Sequence, residues 1–412
     1  MCRLVPGRSR PGTGRAVRRR RRSVPGGLSA NGANLLTSLR APGHGSAKTS
    51  VKRGRNSVVA LSQLLRVPIV AAPMTGGPST PLLAASVGEA GGLGFLAGGR
   101  VTPTDLHKQI RHVRYLTARP FGVNLMVPQC EPSLELAAPA WQAYRAALRD
   151  DAVQVGAALP TRPRRDDDDF AGKVDAILAE RPAVVSFTFG LPQAHVLRAI
   201  QAVGTAVWAT VASPEDARAA LRARVDGLCL QGPRSGGHRA TVHASDPPPT
   251  VALERLIAEV RSMTDLPLIA AGGVDGPAAV ARLLGYGADA VQVGTLLLGA
   301  SEAGTHPAHR RALGANAVYG QTVVTRAFTG RPVRAVRNDF VARHDSWAPA
   351  LYPHVLHLTA PIREAAARSG QSQLLGVWAG TGYRAVRDAS AKHIIRHLAT
   401  GARHWVPAPT SG

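Results

Sequence analysis

Acidic residues are absent from the chain before Glu89, whereas fourteen Lys and Arg precede residue 58. The 412-residue sequence holds 50 Lys and Arg against 26 Asp and Glu, a balance of +24, so more than half of the excess sits in one N-terminal stretch. A charge spread over the whole fold would point to nucleic acid; a charge confined to one end does not. Aromatics are only 4% of the chain, and none interleaves the arginine run Arg18 to Arg22, as base stacking would require. Three cysteines, Cys2, Cys130 and Cys229, exclude a disulfide framework and a cysteine-rich zinc module. A reducing cytoplasm is the simplest home. No uninterrupted apolar stretch reaches the roughly 18 residues of a spanning helix, and no apolar segment follows the arginines as in a secretory leader.

Residues 1–57, rich in Arg, Gly, Pro and Ser without hydrophobic period, read as a disordered tail. From residue 67 onward short β-branched runs alternate with amphipathic segments. Eight runs read as strands: Val67 to Ala71, Leu93 to Ala97, Phe121 to Val127, Val184 to Phe187, Ala206 to Val211, Val225 to Leu230, Leu266 to Ala271 and Ala290 to Val293. They are apolar throughout, as strands covered on both faces must be. Helix-like stretches such as Leu82 to Ala90, Leu134 to Arg149, Pro214 to Arg224, Leu253 to Met263 and Pro277 to Tyr286 separate them. The pattern predicts an α/β fold, a TIM (β/α)8 barrel within a domain spanning 58–400. A mainly helical C-terminal elaboration is expected from about residue 300, and a short tail over 401–412.

Active sites of such barrels form at the C-terminal ends of the strands. After the first strand, glycines follow Ala72-Pro73-Met74, and Ser79 or Thr80 can cap the next helix. After the seventh and eighth strands come Gly272-Gly273 and Gly294-Thr295. Two glycine turns after adjacent strands suit the barrel phosphate site, where backbone N–H groups and a helix N-terminus hold the anion. Asp166 to Asp169 is a run of four carboxylates. Adjacent carboxylates repel and cannot all face one ion, so the run is read as the acidic start of a helix and no metal site is expected.

Seven segments in order resemble the nitronate monooxygenase family, formerly 2-nitropropane dioxygenase. They are VPIVAAPMTGGPSTPLLAASVGEAGGLGFLAGG (67–99), FGVNLMVP (121–128), LCLQGPRSGGHRA (228–240), PLIAAGGVDG (267–276), ADAVQVGT (288–295), TRAFTGRPVR (325–334) and LLGVWAGTG (374–382). The resemblance implies FMN held noncovalently in a TIM barrel. It places Ala72, Pro73 and Met74 along the flavin and has Asn124 and Gln231 bond it. Gly236, Gly273 and the segment Gln292, Val293, Gly294, Thr295 complete the FMN site, with Gly273 and that segment on the phosphate. His238 corresponds to the active-site histidine, and an imidazole with the ordinary value near 6.5 can take or share a proton at cellular pH. Two departures stand out. Arg234 sits where the family carries an acid, which would disfavour a charged His238, and Thr381 ends a segment that usually closes with glutamine.

The implied reaction is oxidation of a nitronate such as propionate 3-nitronate by O2, giving a carbonyl compound and nitrite. The same barrel admits an alternative, an NAD(P)H-dependent quinone or enoyl-thioester reductase. A nucleic-acid role for the tail is the weaker third reading. Partners are thus a small nitronate and O2, with no membrane.

Overall fold

The computed structural model describes residues 60–129, 134–314 and 320–402, so the arginine-rich stretch and residues 403–412 lie outside the described residues. The apolar runs form eight parallel strands: β1 (Ile69–Ala71), β2 (Gly94–Ala97), β3 (Phe121–Met126), β4 (Val184–Thr188), β5 (Ala206–Val211), β6 (Gly227–Gln231), β8 (Leu268–Ala271) and β9 (Ala290–Val293). Between β6 and β8 lies a two-residue strand outside the barrel, β7 (Gly237–His238). The barrel order is β1-β9-β8-β6-β5-β4-β3-β2, and a parallel bridge between Val70 and Leu93 joins the first strand to the last. The sheet therefore closes on itself as a TIM barrel.

Helix starts follow local chemistry. Thr80, Thr102 and Ser213 accept the N–H groups of Leu83, Asp105 and Asp216, and each is followed by a proline in the first turn of its helix. The barrel interior is filled by Val70, Phe95, Trp208, Cys229, Ile269 and Ala290, all buried. Phe95 and Trp208 stand with ring centroids 6.0 Å apart, a contact that adds about 0.5–1.5 kcal/mol beyond area burial. Glycines make room for them. A Cβ at Gly122 would lie 2.3 Å from the Phe95 ring, and one at Gly227 2.8 Å from Trp208. Large and small residues thus alternate around the interior, as a narrow barrel demands.

A second core, around Trp141, Tyr144, Phe328, Phe340, Val355 and Leu358, belongs to the C-terminal elaboration and to the helix Leu134–Ala147 that packs with it. The elaboration is mainly helical as expected, with Pro307–Gly314, His354–Ser369 and Ala391–Ala399 among its helices, and it adds a hairpin that was not foreseen. Thr322–Thr325 (β10) and Val333–Val336 (β11) form an antiparallel hairpin, and β11 pairs with β7, placing Val333 opposite His238. The β-branched runs drive this pairing, with Gly330 and Pro332 in the connection between them. The stretch expected as one helix over Leu134 to Arg149 breaks at Leu148 and restarts as Arg149–Gln154. Residues 401 and 402 extend the packed chain, with a Cβ at Gly401 only 2.0 Å from the Pro277 carbonyl oxygen.

The acidic run also differs from expectation. Asp169 occupies the N-cap of the helix Phe170–Glu180 in a left-handed conformation and makes no side-chain cap bond. Asp168 instead ion-pairs with buried Lys173 at 2.6 Å and accepts the Arg100 N–H at 2.8 Å, while Asp166 meets His357. Among the described residues no cluster of His, Cys, Asp and Glu could hold a metal ion, and no helix is long and apolar enough to cross a membrane.

Candidate active site

The C-terminal ends of the barrel strands and the β10–β11 hairpin enclose a cavity of about 200 Å³. All twelve residues singled out in the sequence line it: Ala72, Pro73 and Met74 after β1, Asn124 on β3, and Gln231 at the end of β6. Gly236 and His238 follow on the next loop, Gly273 after β8, and Gln292, Val293, Gly294 and Thr295 at the end of β9. Local bonds set each loop. Ser79 Oγ accepts the Met74 N–H at 2.9 Å, and Val293 O accepts the Ala72 N–H at 2.8 Å.

Polar groups at the strand ends cross-link the barrel mouth. Asn124 donates to Ser186 Oγ at 2.9 Å and Thr188 Oγ1 at 3.0 Å, and Thr188 donates to Thr210 Oγ1 at 3.3 Å. Gln231 has backbone partners of its own. Its Nε2 donates to His238 O at 2.9 Å and its Oε1 accepts the Ala240 N–H at 2.9 Å, so the side chain grips the backbone on either side of Arg239. One amide hydrogen is left for a ligand. The Gln292 side chain lines the cavity without a hydrogen bond to another described residue.

One end of the cavity is built of glycine. Gly272 and Gly273 adopt φ of +124° and +71°, where a side chain would strain the backbone. A Cβ at Gly272 would lie 2.4 Å from Ser235 Oγ, and one at Gly236 would lie 2.4 Å from Gly380 N. Missing side chains thus let three loops meet, and the helix Pro277–Gly285 begins just beyond, with Gly276 at its N-cap. Such a wall of backbone N–H groups and a helix N-terminus is chemically suited to a phosphate.

The other end is aromatic and cationic. His238 meets Phe189 and Tyr352 edge-on at 5.7 and 5.6 Å and stacks on Trp378 at 6.4 Å. Burial, then the charges of Arg331, Arg100 and Arg363, push its pKa down to about 3. The ordinary value expected from sequence is therefore corrected, and the responsible cations are these three rather than Arg234. Arg331 is fully buried, its guanidinium 3.7 Å from the Phe189 ring centroid. Its Nη2 bonds the Thr241 and Val242 carbonyls, while Nε and Nη1 have no hydrogen-bond partner. No carboxylate lines the cavity among the described residues, and Arg100 is its one formal charge.

Thr329 Oγ1 lies 3.3 Å from His238 Nε2 and donates to Arg331 O at 3.0 Å. Its hydroxyl can accept from an Nε2–H, or turn to donate to Nε2 and leave the proton on Nδ1. A second histidine escaped sequence reading: His309 lines the cavity and its Nε2–H donates to Trp378 O at 3.1 Å. The acceptor fixes its tautomer, and burial holds its pKa down at about 4. No local motif marks His309, because a helix far along the chain delivers it.

A closed (β/α)8 barrel with a largely apolar cavity at its strand ends, a backbone anion cradle and a neutral histidine defines a cofactor-binding oxidoreductase architecture. A nitronate monooxygenase family model matches residues 59–401. A probable nitronate monooxygenase of Bacillus subtilis is 31% identical over 81% of this chain and 95% of its own. The solved nitroalkane oxidase from Streptomyces ansochromogenes is 40% identical with a TM-score of 0.78, covering 83% of this chain and 97% of that one. FabK from Thermotoga maritima is 26% identical with a TM-score of 0.60, covering 82% and 94%. The chain belongs to the nitronate monooxygenase family and is a flavin oxidoreductase.

Proposed function

We propose that the cavity seats FMN and that the protein oxidises alkyl nitronates, such as propionate 3-nitronate, with O2 to a carbonyl compound and nitrite. The carrying observation is the convergence of twelve residues from the ends of five barrel strands on one carboxylate-free cavity. Bound flavin supplies the electron transfer that no side chain here can perform. Gly273, Gly294 and Thr295 are assigned to its phosphate, and Ala72 to Met74, Asn124 and Gln292 to its ring and ribityl chain. The glycine cradle fits this, since a Cβ at Gly272 or Gly236 would close it.

The substrate end suits an anion. Arg100 and the buried guanidinium of Arg331 favour a negatively charged ligand, and no lining carboxylate opposes it. A His238 with pKa near 3 is a weak base, so a preformed nitronate agrees with the site better than a neutral nitroalkane that must first lose a proton. Turning of the Thr329 hydroxyl toward Nε2 gives His238 an Nδ1–H to donate to a nitro oxygen. A reducing, cytoplasmic setting agrees with the buried free thiol of Cys229.

The purified protein is expected to carry a yellow flavin spectrum, and to consume O2 and release nitrite with propionate 3-nitronate. A colourless protein that does not take up added FMN would overturn the reading. The likeness to FabK supports a second one, an NAD(P)H-dependent quinone or enoyl-thioester reductase. Anaerobic bleaching of the flavin by NADH or NADPH, without nitronate, would favour that reductase.

A further inference from the structure

Arg234 takes no part in the chemistry assigned so far, yet its position is specific. Arg234 is exposed, and its stem packs against the Gly273 turn: a Cβ on Gly273 would meet Arg234 Cδ at 2.9 Å and Cβ at 3.0 Å. Neighbouring bonds hold that stem in place. The Arg234 carbonyl accepts the Thr381 N–H at 3.1 Å, and the Pro233 carbonyl accepts Arg334 Nε and Nη2 at 3.0 and 2.8 Å. Ser235 Oγ donates to Ala271 O at 2.9 Å on the other side. The guanidinium itself makes no hydrogen bond or ion pair with any described residue, Asp275 of the same turn included.

An arginine with a fixed stem and an unengaged head, laid over a positive-φ glycine of a backbone anion cradle, has one evident ligand chemistry. We propose that Arg234 binds the terminal phosphate of the flavin, adding a full positive charge to a site otherwise made of backbone dipoles. This rests on the FMN reading above. It also gives the departure from the acid of the family pattern a consequence: an acid over that turn would repel the phosphate, whereas a planar guanidinium can clasp two of its oxygens.

The test compares flavins that differ only in the phosphate. Full-length wild type and Arg234→Met, which keeps an apolar stem over Gly273, are loaded with FMN or riboflavin, and dissociation constants are read from flavin fluorescence at low and high salt. FMN affinity is expected to fall about 10- to 100-fold in the variant at low salt, the range for losing a charge-assisted hydrogen bond. Riboflavin affinity should stay within about 3-fold, and the FMN difference should narrow as salt screens the exposed charge. Arg234→Lys should fall between, keeping the charge without the fork. Equal weakening of both flavins would reveal a merely structural residue and overturn the proposal, as would unchanged FMN affinity. A wild type that binds riboflavin as well as FMN would instead remove the phosphate seat, and both readings with it.

Discussion

At the Gly272 end the cavity wall is backbone, shaped by side chains that are missing; at the His238 end it is aromatic rings and one guanidinium, that of Arg100, with Arg331 buried behind and no carboxylate. The first end recognises by dipoles and close approach, and tolerates no added atom. The second sets charge and protonation, and tolerates changes of shape better than changes of sign. One barrel rim thus combines two recognition principles.

Three experiments would break or sharpen this contrast. Gly236→Val should have the largest effect, because even its Cβ falls 2.4 Å from the backbone nitrogen of Gly380. Flavin content of the purified variant is expected to drop to near zero, and a full complement would show that the loops can part. His238→Asn should lower turnover on nitronate by about 10²- to 10⁴-fold while flavin content stays normal. Kinetics unchanged from wild type would remove His238 from the chemistry.

The smallest effect is expected from pH. Burial and three cations lower the His238 pKa from 6.5 to about 3, so the folded protein keeps it neutral where the unfolded chain takes up a proton. Its contribution to stability is full above about 6.5 and is lost as pH falls toward 3. In the working range kcat/KM on preformed nitronate should be flat, with no inflection near 6.5. An acid limb at that value would mean that His238 titrates normally and that its surroundings are wetter than the fold indicates.

The barrel was legible because fully buried strands are written as continuous apolar runs. Ala206–Val211 and Ala290–Val293 match the predicted strands to the residue, and β1, β6 and β8 begin two residues later than the runs suggest. The rim was legible too, since glycine turns and a lone polar residue at a strand end are local signals. What the chain does not write locally is contact between distant segments. The Thr322–Thr325 and Val333–Val336 strands carry Thr and Arg among their apolar residues and so lack a continuous apolar run, although Gly330 and Pro332 mark a turn. His309 and Trp378 reach the cavity, and Arg331 comes close enough to act on His238, only because the elaboration folds back over the mouth. The His238 environment therefore could not be read from its own loop, and neither could its depressed pKa.

The pairing of Val333 with His238 makes the placement of this imidazole the joint property of two stretches almost a hundred positions apart. Transplanting the loop after β6 onto another cylinder would carry the ring but not its anchorage. An engineer, or natural recombination, would have to move the hairpin along with it.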